Sequence, residues 1–491
     1  MGPLFDIGQI VLRAIAAQYL HMNIASHAAD PVISPDLLRR FDVQGPRYTS
    51  YPTADRFVEA FGPADYQLAL RSRVQGAARH AGMAPLSLYV HIPFCESVCY
   101  YCACNKVITR HHERAAPYLD AIEVEIGLHT AELGSHQPVT QLHLGGGSPT
   151  FLSDAELARL MQMLRRGFGI AEGAEVSIEV DPRTADPQRL RHLAELGFNR
   201  LSFGVQDFDP DVQLAVHRVQ SHDSVRALLE SARELNFRST NVDLIYGLPQ
   251  QTAASFERTV AQVCALRPDR IALYAYAHLP QRFKPQRRID AALLPAGTQK
   301  IAMLAQAIAG FGDSGYTYIG MDHFALPDDP LAVAKRQGRL HRNFQGYSTQ
   351  PDCDLIGLGL SAIGRIGPTY SQNAKTLVEY HDALAQGQFP VARGLALTRD
   401  DLLRRAVIMA LMCQGRVEFE SIALAHLIDF DKVFAAEIEA LKPLQACGLV
   451  ELTAGAIEVT PLGWYFVRGV AMLFDRHLKA DWARDHFSRV I

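Results

Sequence analysis

From residue 86 onward, apolar and polar positions fall into a repeating unit: a short apolar run, a loop carrying glycine or proline, then a stretch with apolar residues at helical spacing. The runs LSLYVHIP, VTQLHLGG, EVSIEVDP, NRLSFGVQ, TNVDLIYGLP and RIALYAYAHLP read as strands. Between them YLDAIEVEIGLHTAEL, DAELARLMQMLRRGF, PQRLRHLAELG, HDSVRALLESARELNF and AASFERTVAQVCAL read as helices. Strict alternation implies parallel strands with right-handed crossovers, and six such units curl into a partial α/β barrel of the TIM type. Chemistry in such barrels gathers at the C-terminal strand ends. Residues of unusual type do fall there: Gly145, Gly146 and Gly147 after the second run, Glu179 and Asp181 at the third, Gln206 at the fourth, Ala277 and His278 at the sixth, with Asp243 inside the fifth.

Outside this pattern the chain changes character. Residues 1–45 look weakly helical but are interrupted by Asp6, Gln9 and Arg13, and read as an appendage, with Met22 an alternative start. Residues 46–85 are expected to lie across the barrel mouth, the barrel to span 86–375, and residues 376–491 to form a mostly helical segment. Within that segment, GLVELTAGAIEVTPLG reads as a hairpin of winged-helix type.

Composition narrows the function. Of 491 residues 48% are hydrophobic and 20% charged, enough for a large core. A net charge of −4 without long runs of one sign argues against a nucleic-acid or membrane-surface partner. No apolar run reaches the roughly 18 residues of a membrane span, and no secretory signal is evident, so a cytoplasmic location is expected. Disulfides are rare in that compartment, which turns attention to the cysteines.

Four of the eight lie within YVHIPFCESVCYYCACNKV: Cys95, Cys99, Cys102 and Cys104. The others are scattered and read as buried free thiols. Three thiols at CxxxCxxC on one loop can ligate three irons of a [4Fe-4S] cube and leave the fourth open. Zinc on all four is the alternative, but structural zinc draws two separated pairs of ligands.

CxxxCxxC after the first strand of such a barrel resembles the radical S-adenosylmethionine (SAM) superfamily. GPRYTSYPTA, YVHIPFC, CNKV, LHLGGGSPT, IEVDPR, NRLSFGVQDF, NVDLIYGLPQQT, YAHLP, GMDHFA, LHRNFQGY and the closing FSRVI, in that order, resemble the oxygen-independent coproporphyrinogen III oxidase (dehydrogenase) family. The similarity runs from about residue 45 to the C-terminus.

The resemblance implies that Cys95, Cys99 and Cys102 hold the cluster and that its open iron binds one SAM, with Tyr100 or Tyr101 packed nearby. Gly145, Gly146 and Gly147 would let backbone approach the methionine amino group, Glu179 would bond ribose hydroxyls, and Tyr89 and Ile363 would add contacts. A second SAM would meet Tyr101, Gly147, Ser148, Gln206, Arg218, Asp243 and Ala277. Tyr101 stands where phenylalanine is frequent in the family, and Ser148 where threonine is. Cys104 matches a cysteine that is not an iron ligand but bears on activity.

The implied reaction uses a 5′-deoxyadenosyl radical to remove hydrogen from a propionate β-carbon. Loss of CO2 and of an electron to an external acceptor leaves a vinyl group. Performed on two rings, this turns coproporphyrinogen III into protoporphyrinogen IX in haem biosynthesis, with an electron donor such as flavodoxin or ferredoxin and a monomeric enzyme. A tetracarboxylate substrate calls for cations. Arg47, Arg342 and the QRFKPQRR run (Arg282, Lys284, Arg287, Arg288) are candidates, the run also reading as a solvated loop. The rival within the broader family is a haem chaperone, which typically lacks GPRYTSYPTA and the cysteine matching Cys104 and carries Tyr-Trp where this chain has Tyr347 without tryptophan.

Overall fold

Among the described residues, twelve strands join into one sheet, and the six sequence-predicted runs form its parallel heart. The computed structural model describes residues 35–40, 45–79 and 84–480. Most of the expected appendage and the closing FSRVI lie outside them. The parallel strands are β1 (Leu86–Ile92), β2 (Gln137–Gly146), β3 (Phe168–Val180), β4 (Arg200–Gln206), β5 (Ser239–Tyr246) and β6 (Arg270–Ala275). They run in spatial order 1 to 6. β1 is covered on both faces, which explains why it reads as a nearly continuous apolar run.

Six strands were not legible as such. β7 (Thr317–Gly320) and β8 (His323–Ala325) add antiparallel beyond β6. On the other side β9 (Asp354–Leu358) pairs parallel with β1, Tyr89 facing Gly357. β10 (Ile363–Ile366), β11 (Thr369–Asn373) and β12 (Val391–Ala396) follow antiparallel. The sheet therefore continues to Ala396, past the expected end of the barrel at 375, because β11 and β12 are paired residue by residue.

Local signals explain the helices. α1 (Pro63–Arg79) and α2 (Ala115–Leu133) precede α3 (Asp154–Gly167). α3 opens on a capping box in which Ser153 Oγ accepts from Glu156 N and Glu156 Oε2 accepts from Ser153 N. It buries Leu157, Leu160, Met161 and Leu164, one stripe at helical spacing. α4 (Pro187–Glu195) has Asp186 as its cap and Pro187 in the first turn.

α1 departs from the expectation that residues 46–85 cover the mouth. It packs outside, against α2, where Tyr66 Oη donates to His129 Nε2 at 2.9 Å. The segment before it behaves differently: Tyr48 and Tyr51 are fully buried in a core shared with the C-terminal helices. Tyr48 Oη donates to Asp475 at 3.0 Å and Arg468 Nε to Pro46 O at 2.7 Å. The C-terminal region begins with a helix at Arg399–Gln414, and the expected hairpin is present as Val450–Leu452 against Ala456–Val459. Residues 33–491 form one compact unit, so this region is not a detached body.

Candidate active site

The loop after β1 leaves and re-enters the barrel top at one point. Phe94–Cys95 pairs with Val107–Ile108, with Val107 N donating to Pro93 O at 2.7 Å and Thr109 N to Cys95 O at 2.9 Å. His91 reaches into the excursion: its Nδ1 accepts from Tyr89 Oη (3.1 Å), so its Nε2–H donates to Asn105 O (2.9 Å). Tyr100 N donates to Val216 O, and the Tyr100 ring stacks on His217. The loop is thus held at its base, middle and tip.

The glycine run is fitted to this loop. Gly147 N and Ser148 N donate to Ile92 O and Phe94 O, both at 2.8 Å. A Cβ on Gly147 would stand 2.7 Å from the Pro93 and Phe94 carbonyl oxygens, and one on Gly146, whose φ is +115°, would stand 2.5 Å from the His91 ring. Gly145 abuts Glu179 and His143. The glycines therefore serve packing of the loop as well as any approach of ligand to backbone.

Cys95, Cys99, Cys102 and Cys104 line one cavity of about 160 Å³ with Tyr101 and Gly146 to Ser148. The same cavity is lined by Glu179 and Gln206 from the ends of β3 and β4, Asp243 from within β5 and Arg218 from the loop after β4. The expected site residues off this wall are close behind it. Tyr89 stacks on His143, Ala277 O accepts from Gln286 Nε2 (3.1 Å), and Ile363, opening β10, backs Gly357, the β1-facing partner of Tyr89. Gln206 adopts φ +70°, an uncommon conformation for a residue with a side chain.

Cys99 sits between two guanidinium groups, Arg218 Nη1 at 3.4 Å and Arg183 Nη2 at 3.5 Å from its sulfur. Both arginines clasp Asp181: Arg183 at 2.7 Å and Arg218 at 3.2 Å. Arg218 is buried and also donates from Nε to Gly204 O at 3.1 Å. Burial opposes ionisation of Asp181, but Arg218 first and Arg183 next prevail and hold it at about 2. Arg183 belongs to IEVDPR, yet its role escaped sequence reading because only the fold carries it to Cys99. Gln286, in the charged QRFKPQRR run, was missed likewise: it is buried and its amide donates to Tyr101 O at 3.0 Å.

Burial pushes the Cys95 thiol up to about 12, whereas the hydrogen bond with Cys104 outweighs burial at Cys102 and, with Lys106, lowers it to about 6. Lys106 Nζ donates to Cys102 O at 3.0 Å and Cys104 O at 3.3 Å. Cys104 itself is exposed. Burial also opposes ionisation of Glu179, but His143 and the Gly146 N–H, 3.1 Å from Oε2, hold it below the ordinary carboxylate range. Asp243 goes the other way: burial and the Glu179 charge raise it to about 6, against hydrogen bonds from Ser202 and Asn241.

The donor set fits an iron–sulfur cluster. Three thiols spaced along one loop share a cavity wall, with Arg218 beside the Cys99 sulfur and Lys106 beside Cys102.

Arg47, expected to meet substrate, stands over the Tyr274 ring (5.1 Å) and 3.7 Å from Asp322. Arg342 is buried over Tyr347 at 4.6 Å.

A profile of the radical SAM superfamily matches residues 89–263, and one of the HemN C-terminal domain matches 397–466. The chain is 52% identical to the oxygen-independent coproporphyrinogen III oxidase of Pseudomonas aeruginosa over 93% of its own length and 98% of that protein. It is 49% identical to the enzyme of the same name from Escherichia coli, at the same coverage of both chains. A solved structure of the Escherichia coli protein, described as a radical SAM enzyme, superposes with a TM-score of 0.83 over 88% of this chain and 98% of that one.

Proposed function

This chain belongs to the oxygen-independent coproporphyrinogen III oxidases of the radical SAM superfamily, and we propose how its residues divide that work. The enzyme converts two propionate side chains of coproporphyrinogen III into vinyl groups, giving protoporphyrinogen IX in haem biosynthesis, with a [4Fe-4S] cluster and two molecules of SAM as cofactors. When bound, the reduced cluster supplies the electron that cleaves SAM to the hydrogen-abstracting radical.

Cys95, Cys99 and Cys102 hold the cluster. Arg183 and Arg218, both held by Asp181, position Cys99 by donating toward its sulfur. Arg218 is therefore a positioning residue for the cluster loop as much as a SAM contact, since its guanidinium is already engaged. Ionised Glu179, fixed by the Gly146 N–H, presents its carboxylate to ribose hydroxyls of the first SAM, whose other neighbours are Tyr89, Gly145 to Gly147 and Ile363. Tyr101, Gly147, Ser148, Gln206, Arg218, Asp243 and Ala277 serve the second. Cys104, exposed beside the cluster ligands, acts on substrate rather than iron.

The observation that carries this reading is the convergence of three loop thiols, the glycine turn and the acids of β3 and β5 on one cavity at the strand ends. A flavodoxin- or ferredoxin-type donor, a cytoplasmic location and a monomeric chain complete the proposal. No helix among the described residues is long and apolar enough to cross a membrane.

The test is an anaerobic assay of the iron-reconstituted protein with SAM, reductant, an extract supplying electron acceptor, and coproporphyrinogen III. Substrate-dependent 5′-deoxyadenosine together with protoporphyrinogen is the expected result. Deoxyadenosine without the divinyl product would overturn the substrate, and haem binding without either would point to the chaperone.

A further inference from the structure

Three cations from three elements lie near enough to act on one another's charge, one of them joined to the cluster loop. Arg282 lies in the loop after β6, Lys375 just after β11, and Arg393 within β12, register partner of Gln372. Among the described residues no carboxylate lies within ion-pair distance of any of them, although Asp55 and Glu59 are near enough to act on Arg393. Burial and then Arg393 and Arg282 hold Lys375 below its ordinary range, and burial does the same to Arg393, with Arg282 adding to it. Like charges so placed repel, and an anion between them would relieve the cost.

The geometry around them is built. Arg393 Nε donates to Gln372 Oε1 at 2.7 Å, and the buried Gln372 is itself fixed by donating to Ser361 O at 3.1 Å. Its guanidinium lies 5.8 Å from the Phe57 ring centroid. Gln372 and Phe57 orient the guanidinium, and its terminal nitrogens are left as a fork suited to a carboxylate. Lys375 is tied to the reaction centre: its carbonyl accepts from Asn105 Nδ2 at 3.1 Å, one residue beyond Cys104.

The substrate of the proposed function carries four propionates, two of which survive. Those need a partner that does not change while others react. We propose that Arg282, Lys375 and Arg393 form a carboxylate clamp at the barrel mouth, holding a propionate that is not being decarboxylated and so presenting another to the radical. The inference rests on the coproporphyrinogen reading and adds residues that nothing in the motif pattern singled out as a set.

The probe is coproporphyrin III, the fluorescent oxidised macrocycle with all four propionates, titrated anaerobically into the holoprotein, with its tetramethyl ester as control. Lys375→Met and Arg282→Met, both exposed positions, are each expected to weaken coproporphyrin binding about tenfold. Binding should lose salt dependence with each cation removed, the ester should be indifferent to the variants, and Arg393→Lys should show an intermediate loss. Cluster absorbance and SAM binding report that the protein is intact. Unchanged coproporphyrin affinity in Lys375→Met and Arg282→Met would overturn the clamp. So would a loss of turnover only when reduced flavodoxin replaces dithionite, which would make the rim a dock for an acidic electron carrier. Failure of the unsubstituted enzyme to convert coproporphyrinogen III would strike the proposed function instead, separately from the binding comparison.

Discussion

Replacing Arg218 with methionine keeps an unbranched apolar stem but removes the guanidinium that Asp181 and Cys99 share. Asp181 sits at about 2 instead of 3.8, a shift worth roughly 2.5 kcal/mol to the folded state, with Arg218 the largest favourable contributor. Because the folded value is the lower one, this stabilisation is present above about pH 4 and lost as pH falls through 2. Without Arg218 the carboxylate keeps Arg183, so the loss should fall short of the 3–5 kcal/mol typical of an orphaned buried charge. Gly204 O also loses its donor. We expect Arg218→Met to unfold about 2–3 kcal/mol more easily in urea at pH 7 and the difference to narrow as pH falls below 4 toward 2. Cys99 loses one of its two guanidinium neighbours, so iron retention under chelator challenge should drop as well. The reasoning fails if the variant's stability is within about 0.5 kcal/mol of the parent at pH 7.

Glu125, buried on α2, accepts from Tyr380 Oη, Gly359 N and Asn373 Nδ2, yet burial raises it to about 7. A raised folded value favours the fold below about pH 4.5 and withdraws that support as pH climbs through 7. Glu125→Gln should therefore flatten the pH dependence of thermal unfolding between pH 5 and 8, by on the order of 3 kcal/mol; a parallel profile would contradict this. Gly147→Ala drives a methyl to 2.7 Å from two carbonyl oxygens and should cost about 2–3 kcal/mol and most of the reconstituted iron, measured by melting and iron assay. Serine at Cys95, Cys99 or Cys102 should abolish cluster absorbance, whereas Cys104→Ser should retain it while lowering vinyl formation.

The six parallel strands and their helices were legible because burial on both faces writes continuous apolar runs and amphipathic helices write a stripe. β7 to β12 were not. Thr317–Gly320 and His323–Ala325 are too short for a periodicity, and Thr369–Asn373 is polar yet buried, its side chains tied down within the fold. The thiols, the glycine turn, Glu179, Gln206 and Asp243 were readable from residue type and position at strand ends. Arg183 and Gln286 were not, since an arginine after β3 and a glutamine in a charged run announce nothing until the chain brings them to Cys99 and Tyr101. Arg393 and Lys375 escaped for the same reason: their meeting with Arg282 depends on how far the sheet curls.

That curl stops short of a ring. An eight-stranded tube has its bore set by strand number and stagger. Here β12 and β7 terminate the ladder, and among the described residues no strand pairs β6 with β9 and no hydrogen-bonded seam closes the wall. Where the ladder ends, side chains take over: the Pro46–Tyr51 stretch is moored on the C-terminal helices by Arg468 Nε to Pro46 O and Tyr48 Oη to Asp475, so that join rests on side-chain contacts and not on a backbone ladder.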